Sequence, residues 1–256
     1  MTYSIAMAGK GGVGKTTLCG LFINYLVEQG KTPILAVDAD PNSNLNEVLG
    51  VDKVVTLGDI REEIAKSEFA DKNPIPTGMS KQEYATVRFN DALIEEAKFD
   101  MLVMGRTQGK GCYCFVNDLL RDQLQKHYRH YKYLVVDNEA GLEHISRGIL
   151  PPVDMILLVS DCSRRGIQAA GRIAEMIAQL DFSTKAVRLI VNRAPEGRLE
   201  PGIEEEIREQ NLTLLGVIPQ DTLVYTYDAA GKPLVTLPED SAIKQSLAGI
   251  AAQLGI

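Results

Sequence analysis

The chain is poor in the features that would tie it to a surface or to the outside of a cell. Its 256 residues include four cysteines. That is too few for a disulfide scaffold, so in reducing surroundings they are thiols, metal ligands or core filler. No apolar run approaches the ~18 residues that a membrane-spanning helix needs. The opening, MTYSIAMAGKGG, has no basic stretch ahead of an apolar one, which speaks against a secretory signal. Basic residues are outnumbered 27 to 34, for a net charge of −7. That balance argues against a protein whose whole surface grips nucleic acid or anionic lipid. The expectation is a cytoplasmic protein with neither membrane nor nucleic acid as partner. The rest of the composition is ordinary globular, 45% hydrophobic and 24% charged, and a chain of this length can bury a sizeable core. At about 150 residues per domain, one large α/β domain or two small ones are allowed.

Apolar runs of strand length alternate with helical patterns, which predicts βαβ units and a mostly parallel sheet. The predicted strands are Tyr3–Ala8, Pro33–Val37, Asp100–Met104, Tyr133–Asp137, Asp154–Ser160, Ala186–Asn192 and Thr213–Ile218. Several are continuous Val, Ile and Leu, as strands covered on both faces are. Helices are expected from Thr16 to Gln29, closed by Gly30, and from a capping box at Ser80-Lys81-Gln82-Glu83 running toward Lys98. Others are expected over 115–128, 166–180 and 241–254, the last as a docked closing helix. Residues 67–80 read as a surface loop. The fold expected is a single doubly wound domain over 1–256, with helices on both faces of the sheet. In such folds ligands sit at the carboxyl ends of the strands.

The strongest motif follows the first predicted strand. Gly9-Lys10-Gly11-Gly12-Val13-Gly14-Lys15-Thr16-Thr17 fits the phosphate-loop pattern G-x-x-x-x-G-K-[ST]. Its glycines let backbone N–H groups wrap phosphate oxygens, and the helix that follows adds positive potential at its N-terminus. Lys15 is expected at the β- and γ-phosphates, and the Thr16 hydroxyl on Mg²⁺. An ordinary phosphate loop has no need of Lys10. The string resembles the deviant Walker A motif of the MinD/ParA/iron-protein class of P-loop ATPases. The resemblance implies an ATP-dependent homodimer in which Lys10 crosses to the partner's nucleotide.

The second strand ends in Val37-Asp38-Ala39-Asp40-Pro41-Asn42-Ser43-Asn44, the segment that is switch I in that class. Carboxylates there can hold the water shell of Mg²⁺ and orient an attacking water. Asp38 is assigned to water positioning and Asp40 to the Mg²⁺ environment, the alternative being an Asp-Pro-Asn turn with carboxylate caps. Tyr133-Leu134-Val135-Val136-Asp137 has the Walker B pattern, with Asp137 set to bind Mg²⁺ through water. Residues 138–144, from Asn138 to His144, resemble switch II, with Gly141 free to move and His144 read as a polar loop residue. Asn192 and Arg193 end a later strand and are similar to the adenine-reading segment of MinD-like ATPases. An amide can pair with the base edge and a guanidinium plane can stack on it. Pro219 and Gln220 are placed in the same pocket.

Cys112-Tyr113-Cys114 follows the third predicted strand. In extended backbone, residues i and i+2 project to one side. Two thiolates do not complete a tetrahedral site, but a twofold dimer would bring four together. The alternative is a pair of loop thiols beside a packed tyrosine. Cys19 and Cys162 read as small buried thiols, and His127 and His130 as solvated. Together the phosphate loop, the Cys-x-Cys pair and Asp137-Asn138-Glu139-Ala140-Gly141-Leu142-Glu143-His144 resemble the CooC family, accessory ATPases for nickel insertion into carbon monoxide dehydrogenase. The resemblance implies ATP and ADP with Mg²⁺, nickel or zinc at Cys112 and Cys114 across a homodimer, and a client such as carbon monoxide dehydrogenase or acetyl-CoA synthase. It implies catalytic roles for Lys10, Lys15, Asp38 and Asp137. The rival readings are a ParA/MinD-type positioning ATPase and an iron–sulfur carrier ATPase.

Overall fold

The computed structural model describes residues 2–256 except 41, 43, 53–54, 67–72, 106–113, 140–150, 152 and 180–183; along 114–120 it describes the backbone and the Asp118 side chain. Eight strands form one sheet: β1 (Tyr3–Ala8), β2 (Ile34–Ala39), β3 (Ile94–Glu95), β4 (Asp100–Val103), β5 (Tyr133–Asn138), β6 (Met155–Asp161), β7 (Ala186–Ala194) and β8 (Leu214–Pro219). Their order across the sheet is β3-β4-β2-β5-β1-β6-β7-β8. All neighbours are parallel except β3, which pairs antiparallel with β4. The chain winds outward from β1 first toward β2 and β4, then toward β6, β7 and β8. The winding direction therefore reverses at β1, the point in an open sheet where a crevice forms.

Side chains alternate across each strand, and both faces are covered. Ile5 and Met7 of β1 face one core, which they share with α1 (Lys15–Glu28), α2 (Leu45–Leu49) and α9 (Ala242–Gln253). Ala6 and Ala8 face the other, packed with α3 (Leu57–Lys66), α4 (Lys81–Ala92), α5 (Cys114–His127), α6 (Arg164–Gln179) and α7 (Pro201–Glu209). That two-sided burial is why the strands read as continuous apolar runs rather than alternating ones. Helix α1 is apolar nearly all round, burying Leu18, Cys19, Leu21, Phe22, Ile23 and Leu26. It ends as expected at Gly30 (φ 65°), with the Lys31 N–H bonded to the Leu26 carbonyl. The capping box at Ser80 forms in both directions, Ser80 Oγ accepting from Glu83 N–H and Glu83 from Ser80 N–H.

Three expectations need correction. The helix opened by Ser80 stops at Ala92, not near Lys98, because Ile94 and Glu95 leave it to pair with β4. His127 is half-buried with its ring centroid 4.9 Å from that of Phe89, and burial lowers its pKa. The predicted solvated state fails there because α5 turns that side chain onto α4; His130 is exposed. Cys162 is only half-buried, although Cys19 is fully buried as expected. Helices α2, α3, α7 and α8 (Thr222–Ala229) went unpredicted.

Candidate functional site

The register of the central strands assembles the site. Met7 of β1 stands opposite Asp137 of β5, and Asp38 of β2 stands opposite Asp137 on the other side. The two acidic strand ends therefore lie side by side on one side of the exit from β1, where the phosphate loop begins. Further along the edge, Asp161 pairs with Asn192 and Ala194 with Pro219.

The loop between β1 and α1 has the glycines its path requires. At Gly9 (φ 151°) a Cβ would stand 2.1 Å from the Val159 carbonyl oxygen on β6. At Gly14 (φ 94°) it would stand 2.5 Å from Asn192 Nδ2. Gly11 and Gly12 face open space, so the inner wall of the loop is bare backbone. Gly14 N-caps α1, its carbonyl accepting from Leu18 N–H, and α1 leaves its first N–H groups aimed at the loop. Lys15 is 6% exposed and donates from Nζ to the Lys10 carbonyl at 3.2 Å. Burial lowers its pKa, while Asp137, Asp40 and Glu139 pull it back up. A buried ammonium resting on a carbonyl inside an anion cradle is a group waiting for phosphate. Lys10 itself is exposed.

The carboxylates divide the work. Asp38 is fully buried and folds its own loop: Oδ1 accepts Asp40 N–H at 3.1 Å and Oδ2 accepts Leu45 N–H at 3.0 Å, which caps α2. Asp40 makes an Asx turn, accepting Asn42 N–H at 2.8 Å. Asp137 is different. It is 1% exposed, and among the described residues neither of its oxygens has a hydrogen-bond partner. The Thr16 hydroxyl lies beside it without reaching hydrogen-bonding geometry. Burial, and then the charges of Asp38 and Asp40, push its pKa up to about 7 against the pull of Thr16 and Lys15. Its neighbour Asn138 donates to the Met7 carbonyl, and its Oδ1 also lacks a partner. Orphaned buried oxygens are costly, and an oxygen set of this kind suits a hard cation. Mg²⁺ fits here, with Thr16 and Asp137 as the residues that would hold it and its waters.

The segment at the end of β7 is wired to the phosphate loop. Asn192 Nδ2 donates to the Val13 carbonyl at 2.8 Å, and Arg193 Nη1 donates to the Gly12 carbonyl at 3.0 Å. Asn192 Oδ1 accepts Arg193 N–H at 2.9 Å, holding Arg193 at a left-handed φ of 57°. A non-glycine residue there is strained, and such strain gathers at functional sites. Beside these residues opens a cavity of about 380 Å³. The sequence placed Asn192, Arg193, Pro219 and Gln220 in it, and all four line it with Gly14 and Thr17. It missed the rest of the lining, which is Asp221, Val224, Tyr225 and Asp228 of the α8 segment with Leu234 and Ile243. The Asp221-Thr222 pair ahead of an apolar residue was the available signal for that helix.

Cys112 lies outside the described residues. Cys114 is the first residue of α5, its side chain likewise outside them. Gly141 and His144 fall in the same category. Among the described residues no group of three or more His, Cys, Asp or Glu is placed to hold a metal ion, and no helix is long and apolar enough to cross a membrane.

Comparison with known proteins agrees with this geometry. The chain is 40% identical over 251 residues to an uncharacterized ATP-binding protein of Methanocaldococcus jannaschii, covering 98% of this chain and 97% of that one. It is 31% identical over 246 residues to the carbon monoxide dehydrogenase accessory protein CooC of Rhodospirillum rubrum, covering 89% and 87%. The septum site-determining protein MinD of Pyrococcus horikoshii, solved with Mg-ADP, superposes with a TM-score of 0.70 at 22% identity, covering 99% of this chain and 96% of that one. Residues 4–234 match the CobQ/CobB/MinD/ParA nucleotide binding domain family. With its glycine loop, buried lysine and unpartnered strand-end aspartate in register, the chain belongs to that family and is one of its ATP-binding ATPases.

Proposed function

We propose that this protein is a homodimeric, ATP-driven metallochaperone that carries nickel for the maturation of a nickel enzyme of the carbon monoxide dehydrogenase or acetyl-CoA synthase kind. The observation that carries the reading is the sequence Cys112-Tyr113-Cys114, which follows β4 and ends at the first residue of α5, in a chain 31% identical to CooC along 89% of its length. The metal is cargo, held by the paired thiolates of two protomers.

The nucleotide end follows from groups in place. Lys15 neutralises the β- and γ-phosphates, and loop N–H groups bind their oxygens. Asn192 has one N–H and one lone pair left after its loop contacts, enough to pair with the amine and a ring nitrogen of adenine. Mg²⁺ supplies charge neutralisation at the phosphates. Asp38, a rigid buried carboxylate, orients the attacking water, and Lys10 completes the partner's site across the interface.

Coupling to the cargo has a short route, one backbone hydrogen bond and a few residues of chain. The Met104 N–H bonds to the carbonyl of Asp38 itself at 2.8 Å, and Val103 stands in register with Asp38. The strand that leads to the cysteines is therefore tied to the residue that opens switch I. If nucleotide state moves that strand end, metal affinity moves with it, and metal must bias nucleotide binding equally.

The test is metal analysis of size-separated, anaerobically prepared protein loaded with nickel. The wild-type dimer is expected to hold one nickel or zinc ion. Cys112→Ser with Cys114→Ser is expected to hold none while folding and hydrolysing ATP. Equal metal in both proteins refutes the cysteine site. ATP-dependent co-sedimentation with DNA or liposomes would mark a positioning ATPase instead.

A further inference from the structure

We infer that Tyr225 is the base-stacking residue of this site, an aromatic flap that gives the cavity its preference for purine nucleotides. The inference rests on the reading of the 380 Å³ cavity as the base subsite.

Its first support is how α8 is held. None of its residues is fully buried, and the partial packing of Val224 and Tyr227 against the core does not by itself fix how the helix is turned. Asp221 does: Oδ1 accepts Leu223 N–H at 2.9 Å to start α8, and Oδ2 accepts Ile243 N–H at 3.2 Å at the start of α9. One carboxylate thus pins two helix starts and turns the α8 face bearing Val224, Tyr225 and Asp228 to the cavity. Positions three and four apart share a helix face, so this is one surface.

The second support is the state of the ring. Tyr225 is 77% exposed although it lines a cavity. Among the described residues its ring has no hydrogen-bond or ring partner. Tyr227, on the same helix, has the Lys232 ammonium 5.5 Å from its ring centroid. A large aromatic left in water at the mouth of a site is unexplained by folding energy and is well explained by a flat ligand.

The third is complementarity. In the same cavity lining the Arg193 guanidinium is fixed by the Gly12 carbonyl, and Asn192 keeps one amide donor and one acceptor beyond its own contacts. Pro219, Leu234 and Ile243 supply apolar walls. A purine read at its edge by Asn192 still needs a partner for its faces, and stacking on an aromatic ring serves every purine.

The experiment uses the chain's lack of tryptophan. Tyr225→Ala is expected to weaken Mg-ADP and Mg-ATP binding about ten-fold, leaving the affinity for inorganic tripolyphosphate unchanged. Tyr225→Phe is expected to restore nucleotide affinity. Tyr225→Trp places a single indole in the site, and its fluorescence is expected to be quenched by ADP but not by tripolyphosphate. Calorimetry on the same samples reports binding independently. Wild-type ADP affinity in Tyr225→Ala, or an unquenched indole in a protein that binds ADP, overturns the inference and leaves the ATPase reading standing. A changed dimer equilibrium with unchanged ADP affinity also overturns it, making Tyr225 a subunit contact. If the wild-type protein binds no ADP, both readings fall.

Discussion

The two ends of the proposed nucleotide site are built on opposite principles. At the phosphate end Lys15, Asp38 and Asp137 are buried, Lys15 resting on a loop carbonyl, Asp38 on two N–H groups, and Asp137 standing on the strand beside β1. At the base end one wall is equally firm, with Asn192 and Arg193 hydrogen-bonded to the phosphate loop. The other wall is a helix with no fully buried residue, held by Asp221 and the partial packing of Val224 and Tyr227, and carrying the exposed Tyr225. The difference has a chemical reason. Phosphate and Mg²⁺ are small, charged and geometrically demanding, so their ligands must be preorganised. A base is broad and flat, and an exposed aromatic ring can bind it by area.

The largest effect should come from breaking the rigid end. Lys15→Ala is expected to lower ATP turnover by about 100- to 1,000-fold, as loss of one preorganised charge donor does, with thermal unfolding little changed. Normal turnover in steady-state phosphate release would remove Lys15 from the site. Gly14→Ala attacks the seam between the two ends. Its Cβ would meet Asn192 Nδ2 and adopt a φ of 94°, so both phosphate and base affinities are expected to fall together, in calorimetry with ADP and with tripolyphosphate.

Asp137 sharpens the comparison by pH. Its carboxyl is pushed up to about 7, from an ordinary 3.8. Between those values the folded protein keeps a proton that the unfolded chain releases. Stability of the nucleotide-free protein should therefore fall as pH rises from about 4 to 7, by a few kcal/mol at most. Mg²⁺ competes with the same proton, so Mg²⁺-dependent nucleotide binding should strengthen over that window. Asp137→Asn is expected to flatten both curves, read by thermal melts and by titration at several pH values. The smallest effect belongs to the loose wall. Asp221→Ala removes one helix cap, worth about 1 kcal/mol, and should weaken ADP about five-fold while sparing tripolyphosphate.

This contrast also decides how much was legible in the sequence. The rigid end was written in local patterns: a glycine loop after a strand, and aspartates closing Val-rich runs. All seven strands expected are present, within two residues at each end, because burial on both faces makes them continuous apolar runs. The edge strand β3 was hidden because two residues carry no period, and its pairing with β4 is what ends α4 early. Helices α7 and α8 were hidden for a related reason. They are nine and eight residues long, with two buried positions in α7 and none in α8, so there is little length over which a pattern can repeat. The α8 wall of the cavity therefore had no signal beyond its cap. His127 was misplaced because its solvation depends on how α5 meets α4, a tertiary fact that charge patterning along one helix does not contain.

The most direct test of the central claim is reciprocal linkage between nucleotide and cargo. Nickel affinity of the dimer would be measured in Mg-ADP and in a non-hydrolysable Mg-ATP analogue, and the affinity for each nucleotide measured with and without nickel. The account predicts that nucleotide exchange changes nickel affinity by some factor, that nickel changes the nucleotide preference by the same factor, and that Cys112→Ser with Cys114→Ser abolishes both. Nickel bound equally in every nucleotide state, or retained by the double variant, would contradict an ATP-driven metal carrier.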